Sequence, residues 1–267
     1  MLFTVRLFAL FGVAVALSAG AESPAEAGPS EAGLAAEPRD GRAVMAAVRE
    51  QSRIHPDQRA AVDLIIRNAK GEERVRRFRL LHKALPEHSK SLVKFFRPAS
   101  ISGTALLSES RDLEEKTLQW IYLPALRDFR QLSTEARHDS FMGSDFSNAD
   151  IAGRRLDQDT HRIIKEDENY IYIESTPKDS ADPYSRMEIK IGRAIQVPVK
   201  IDFYDRTGQL LKTLENKKIA RVKGMYTPVE AQMANILSGG ATIMRKSDIR
   251  VDRPIADTEV GFKGLRK

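Results

Sequence analysis

The sequence predicts a mainly β protein, built as one antiparallel sheet, open or curled, with few helices. Two observations carry that expectation. From Pro56 onward apolar and polar residues alternate with a period of two over most of the chain, as in half-buried strands. The alternating segments are short, about a dozen in number, and tight-turn chemistry separates many of them, which favours neighbouring antiparallel strands over a parallel α/β arrangement.

The elements follow in chain order. Arg6, the apolar run LFALFGVAVAL (7–17) and Ala19-Gly20-Ala21 have the form of a cleavable export signal, so residues 1–21 are expected to be removed and the protein to be exported. The run is shorter than the roughly 20 residues a spanning helix needs. Residues 22–39 are expected to be a disordered linker, because ESPAEAGPSEAGLAAE (22–37) offers almost no apolar surface to offset the cost of ordering. A single domain is expected over 40–267. Asp40 is a suitable N-cap for a helix carrying Val44, Met45, Ala47 and Val48 on one face, stopped by His55-Pro56.

Val62, Leu64 and Ile66 alternate with Asp63, Ile65 and Arg67, and Asn68-Ala69-Lys70-Gly71 reads as a hairpin connection. Further strands are predicted over 73–82, 90–97, 101–109, 117–123, 128–134, 155–165, 168–176, 184–192, 197–205, 210–223, 228–237 and 241–250. Thr227-Pro228-Val229-Glu230 has the form of a capping box with proline at the first helical position, so a helix competes with the strand over 228–237. The alternation of Val229, Ala231, Met233, Asn235 and Leu237, followed by Ser238-Gly239-Gly240, favours the strand.

The 267 residues contain no cysteine, which excludes disulfides, thiolate nucleophiles, cysteine-held metals and an acylated N-terminal cysteine. The histidines, His55, His82, His88, His138 and His161, lack H-x-x-x-H spacing. His138-Asp139-Ser140 holds the residue types of a hydrolase triad, but adjacent residues point apart, and no G-x-S-x-G elbow or phosphate-binding loop is present. No enzyme activity, cofactor or metal is therefore expected. The net charge is +6, and Arg74, Arg76, Arg77 and Arg79 cluster on one predicted strand. Export places nucleic acid out of reach, so this basic run is read as a solvated face able to make transient contact with anionic membrane surfaces.

The middle of the chain is richest in information. Trp120, Tyr122, Leu126 and Phe129 precede Phe141, Met142 and Phe146, which lie in a glycine-containing stretch without strand alternation. These last three either plug an apolar cavity or close one end of an ordinary β core. Ser147 and Asp150 have the spacing to cap a brief helix.

FFRPASISGTALL (95–107), WIYLPALRDFRQL (120–132) and SFMGSDFSNADI (140–151) resemble successive motifs of the LolA-like family of exported outer-membrane lipoprotein-sorting proteins. KIDFYDRTGQLLKTL (200–214) and TIMRKSDIRVDRPIADTEVGF (242–262) extend the likeness over about residues 42–265. The family usually has two basic residues where this chain has Arg130-Gln131, and a Tyr-Glu pair at Asn148-Ala149. The resemblance implies a half-open antiparallel β-barrel with helices and a loop over its concave apolar face. It also implies a monomeric periplasmic carrier of lipoprotein acyl chains or another lipid, meeting an inner-membrane transporter and an outer-membrane acceptor. The alternative is a non-catalytic adaptor of an envelope transport machine whose groove takes a protein segment. Trp120, Tyr122, Leu126, Phe129, Phe141, Met142 and Phe146 are the candidate lining and flap residues, and Arg130 is the candidate latch, donating to carbonyls of the flap.

Overall fold

The structure, a computed structural model, describes residues 40–251 and 253–266; the expected export signal and linker lie outside the described residues. The chain begins there with helix α1 (Gly41–Arg53), capped by Asp40, whose carboxylate accepts from the Arg42 backbone N–H. Gly41 sits so close to the later strand at His161 that a Cβ would lie 2.6 Å from the His161 carbonyl oxygen. Only glycine lets the helix start there. Val44, Met45 and Val48 then fall on the face that joins the main core.

Six strands follow: β1 (Asp57–Arg67), β2 (Glu73–Ala84), β3 (His88–Arg97), β4 (Ala105–Arg111), β5 (Lys116–Leu123) and β6 (Asp128–Gln131). A long crossing segment then carries a short helix, α2 (Asn148–Ala152). Seven more strands complete the sheet: β7 (Asp159–Glu166), β8 (Tyr170–Pro177), β9 (Tyr184–Gly192), β10 (Val197–Asp205), β11 (Leu210–Val222), β12 (Met225–Asn235) and β13 (Ala241–Arg250). The chain ends on helix α3 (Phe262–Arg266).

The 13 strands form one open antiparallel sheet in the order β6-β5-β4-β3-β2-β1-β13-β12-β11-β10-β9-β8-β7. Two meanders are thus sewn together by the first and last strands, with Leu64 opposite Met244 and Ile66 opposite Thr242. Strands β6 and β7, consecutive in sequence, lie at opposite edges, so residues 132–158 must run across a sheet face. Val229, Ala231 and Met233 lie in strand β12, and the competing helix does not form. Two predicted strands begin later than expected: 99–101 and 156–158 are single 3-10 turns ahead of β4 and β7.

The sheet has apolar residues on both faces. On one, Val62, Leu64, Phe78, Phe95, Ile173, Met187, Ile191 and Met233 form the main core with α1 and the crossing segment. On the other, Leu92, Ala105 and Leu107 are covered by Ile255, Val260 and Leu265 of the C-terminal segment. Helix α3 therefore packs on the face opposite to α1, in addition to the helix and loop over the other face. Among the described residues no helix is long and apolar enough to cross a membrane.

Candidate functional site

The crossing segment builds one wall of the site. Phe141 N–H donates to the Phe146 carbonyl at 2.7 Å, and Ser140 Oγ to the Ser144 carbonyl at 2.6 Å, which closes residues 141–146 into a compact loop. Met142 and Gly143 both have positive φ, 52° and 73°, and this paired left-handed turn lets Phe141 and Phe146 reach the core from one loop. Ser147 then caps α2, with its hydroxyl accepting from Asp150 N–H while the Asp150 carboxylate accepts from Ser147 N–H, as the sequence spacing indicated.

A cavity of about 390 Å³ lies between this segment, α1 and the sheet. Phe146, Met187, Ile189, Phe203, Leu214 and Met233 line its apolar part, and Met45 and Val48 roof it from α1. Such a volume is in the range of small-molecule sites.

The residues singled out in the sequence are not all brought together here. Phe146 borders the cavity. Phe141 instead fills the core beside it, 1% exposed, with ring centroids 6.1 Å from Phe78 and 5.6 Å from Phe95. Met142 packs against the same core, half-buried. Trp120, Tyr122 and Phe129 are on the opposite face: strand alternation turns Gln119 and Ile121 toward the cavity side and these aromatics away from it. There Phe262 lies 5.3 Å from Trp120 and 4.7 Å from Phe129 between ring centroids. The C-terminal segment uses the aromatic trio as its seat, which corrects the expectation that they line the cavity with the flap. Leu126 lies on an exposed turn after β5. Arg130 is exposed and bonds Asp128 at 3.5 Å rather than the flap carbonyls, so the latch expectation is corrected as well.

Other groups hold the loop. Asp145 and Thr242 bond reciprocally, Asp145 N–H to Thr242 Oγ1 at 3.0 Å and Thr242 Oγ1–H to the Asp145 carboxylate at 2.7 Å. Thr242 is wholly buried on β13. The sequence offers only a faint signal for this pair, an Asp in SFMGSDF and a Thr at the start of a predicted strand. Replacing Thr242 by Val keeps the shape and removes both bonds, and should lower stability by about 1–3 kcal/mol in urea denaturation; an unchanged midpoint would remove this pair from the account of the loop. The arginine beside the loop is Arg76, whose Nη2 would lie 3.7 Å from a Cβ on Gly143.

Two polar clusters flank the cavity. Arg154 bonds Asp159 through Nε at 2.8 Å and Nη2 at 2.5 Å, and Asp182 through Nη2 at 2.9 Å. Burial opposes its charge, but these carboxylates outweigh burial and hold its pKa above the ordinary value. Lys212, buried on β11, pairs with Asp150 of α2. At the other end stand Arg49 and Arg53 of α1, both near Asp112, with His82, Ser89 and Ser110 from β2, β3 and β4. Burial first, then repulsion by Lys246 and Arg53, pushes the His82 imidazole down to about 4, against the pull of Asp57. The neutral ring is thus the folded-state form, while the unfolded chain takes up the proton near 6.5. Stability contributed this way is complete above about pH 6.5 and is lost as pH falls toward 4, by up to about 3 kcal/mol. A His82→Gln variant should show a flatter stability profile across that window than the parent; superimposable profiles would contradict the assignment.

His161 donates from Nε2 to the Leu156 carbonyl at 2.9 Å and accepts at Nδ1 from Ser175 at 2.8 Å, an anchor for the end of the crossing segment. His138, Asp139 and Ser140 share no side-chain hydrogen bond with one another, and burial lowers the His138 pKa. Among the described residues no three His, Asp or Glu side chains converge on a metal position.

Comparison with known proteins agrees with this architecture. A family model described as "-like: Uncharacterized protein" matches residues 87–260, more than half of the chain. No curated protein matches the sequence significantly. Among solved structures, an outer-membrane lipoprotein-sorting protein domain from Vibrio parahaemolyticus is 25% identical with a TM-score of 0.80, over 85% of this chain and 98% of that one. A DUF1329 family protein from Desulfovibrio piger is 25% identical with a TM-score of 0.78, over 85% and 99%. A LolA superfamily protein from Nitrosomonas europaea shares the fold at 20% identity, with a TM-score of 0.68 over 85% and 100%. With its sheet left open, its crossing segment laid over one face and these structures matched along nearly their whole lengths, the chain has the LolA-like fold of outer-membrane lipoprotein-sorting proteins and belongs to the family whose model matches residues 87–260.

Proposed function

We propose that the protein is a periplasmic carrier that takes up lipoprotein acyl chains, or another lipid, and moves them toward the outer membrane without making or breaking a bond. The observation that carries this reading is the cavity of about 390 Å³ between α1, the crossing segment and the sheet, whose apolar part is lined by Phe146, Met187, Ile189, Phe203, Leu214 and Met233. The physics suits the task. Each methylene removed from water contributes about 0.8 kcal/mol, so a chain of roughly 16 carbons offers about 12 kcal/mol gross. A carrier needs only shelter for that chain and a wall able to shift. The open sheet supplies such a wall, because β6 and β7 are unpaired edges and the segment joining them is held by side-chain bonds rather than by a strand ladder. Methionines Met45, Met187 and Met233 around the cavity adapt to varied hydrocarbon shapes.

The export signal at residues 1–21 supports delivery to the periplasm, and partners in the inner and outer membranes belong to the same reading. Native mass spectrometry of protein gently isolated from the periplasm should show a co-purifying lipid or acylated lipoprotein. Protein that stays bare, and that gains no mass when incubated with fatty-acyl lipids, would refute the carrier reading and turn attention to a protein segment as occupant.

A further inference from the structure

The cavity is chemically divided. Opposite its apolar lobe, Ser89 and Ser110 are directly paired across β3 and β4, and both line the cavity. Their hydroxyls have no side-chain hydrogen bond among the described residues. His82 stands on the neighbouring strand β2, paired with Ser91, and also lines the cavity without a hydrogen-bond partner among the described residues. Arg49 and Arg53 reach the same lobe from the last turns of α1. Asp112 bonds Arg49 and lies 3.8 Å from Arg53, so one carboxylate serves two guanidiniums and a positive charge is left over. Arg53 spends one N–H on the Leu85 carbonyl at 2.7 Å and keeps others. Lys246, half-buried on the cavity side of β13 opposite Val62, has no ion-pair partner among the described residues. Against these donors stands Asp57, one of whose carboxylate oxygens accepts from Ile255 N–H at 3.2 Å.

Such a lobe is rich in unused donors and carries excess positive charge beside a hydrocarbon surface. We infer that the cavity is shaped for amphiphiles with an anionic oxyacid head, a phosphate or carboxylate, seated among Arg49, Arg53, Ser89 and Ser110 while the chain lies on Met187, Ile189, Phe203 and Met233. This rests on the lipid-binding reading above and narrows it: a neutral or zwitterionic lipid of equal chain length leaves the excess charge uncompensated. The low affinity of His82 for a proton comes first from burial, and the smaller repulsion by Lys246 and Arg53 places both cations near this lobe. Charge-assisted hydrogen bonds are the strong ones, and guanidinium with hydroxyl donors suits oxyanion geometry.

The test titrates the purified protein with 1-palmitoyl lysophosphatidylglycerol, 1-palmitoyl lysophosphatidylcholine and glycerol 3-phosphate, below the micelle concentration of each lipid. The anionic lysolipid should bind about tenfold or more tighter than the zwitterionic one, and glycerol 3-phosphate far more weakly than either. A Ser89→Ala, Ser110→Ala double variant should weaken both lysolipids about tenfold, because each presents phosphate oxygens to the hydroxyls. Lys246→Gln, which removes one positive charge and leaves no carboxylate unpaired, should bring the two lysolipids to within about threefold of each other. Equal affinities in the parent protein would overturn the headgroup inference and leave the carrier reading standing. Glycerol 3-phosphate binding as tightly as the lysolipid would assign the lobe to a free phosphate ester and also overturn it. Binding of neither lysolipid would refute the carrier reading itself.

Discussion

Truncating Phe141 to alanine should lower the unfolding free energy by about 3–5 kcal/mol, measured by chemical denaturation. The ring is 1% exposed and makes aromatic contacts with Phe78 and Phe95, themselves 5.3 Å apart, so its removal opens a void that two strands and a loop must share. The loop cannot easily collapse into that space, because Met142 and Gly143 hold a left-handed turn and Asp145 is tied to Thr242. Met142, only half-buried, should cost clearly less when truncated. A Phe141→Ala protein whose denaturation midpoint matches that of Met142→Ala would contradict this division. The result also bears on uptake. A charged residue at Phe141 is expected to unfold the domain rather than silence it, so the movable part of the loop is better probed at Phe146, which borders the cavity.

Arg154→Ala should be about as severe, near 3–5 kcal/mol. Asp159 and Asp182 have side chains 3% exposed, and without the guanidinium two carboxylates would remain buried with their main counter-charge gone. Arg154 lies in the stretch 152–156 that lines the cavity, so its clamp on Asp159 at the start of β7 and on Asp182 before β9 also holds that wall in place. Adding Asp182→Asn to Arg154→Ala should recover part of the loss, because one unpaired charge is removed. Losses that simply add would argue that the three residues do not form one unit.

The strands were legible because burial on one face leaves a period-two record. β1, β9 and β10 fall where Val62-Leu64-Ile66, Met187-Ile189-Ile191 and Ile201-Phe203 alternate. The brief helix after Ser147 was legible because capping is local chemistry between residues three apart. Helix α3 left no readable signal, being five residues long and held by a distant seat rather than by its own pattern. The starts of β4 and β7 shifted for a related reason: a 3-10 turn ahead of a strand carries the same apolar residues as the strand itself.

The candidate site was legible only in part. Alternation states that Trp120 and Tyr122 share a face and that Ile121 does not, but both faces of β3 to β5 are apolar, as Leu92 beside Val93 and Leu106 beside Leu107 show. Nothing local says which face meets the cavity. That was decided by residues more than a hundred positions away, when Phe262 settled on Trp120 and Phe129. Arg130 was misjudged for a similar reason, since the residue that ties down the loop, Thr242, comes from the last strand.

Taken by itself, the amino-acid order determined the β character, the positions of the hairpins, the family motifs and the apolar loop, because each depends on residues a few places apart. The joining of β1 to β13, the separation of β6 from β7, and the division of the cavity into apolar and cationic lobes were decided only in three dimensions. These depend on which distant surfaces exclude water together, and a two-residue repeat encodes the wish to be buried without encoding the partner.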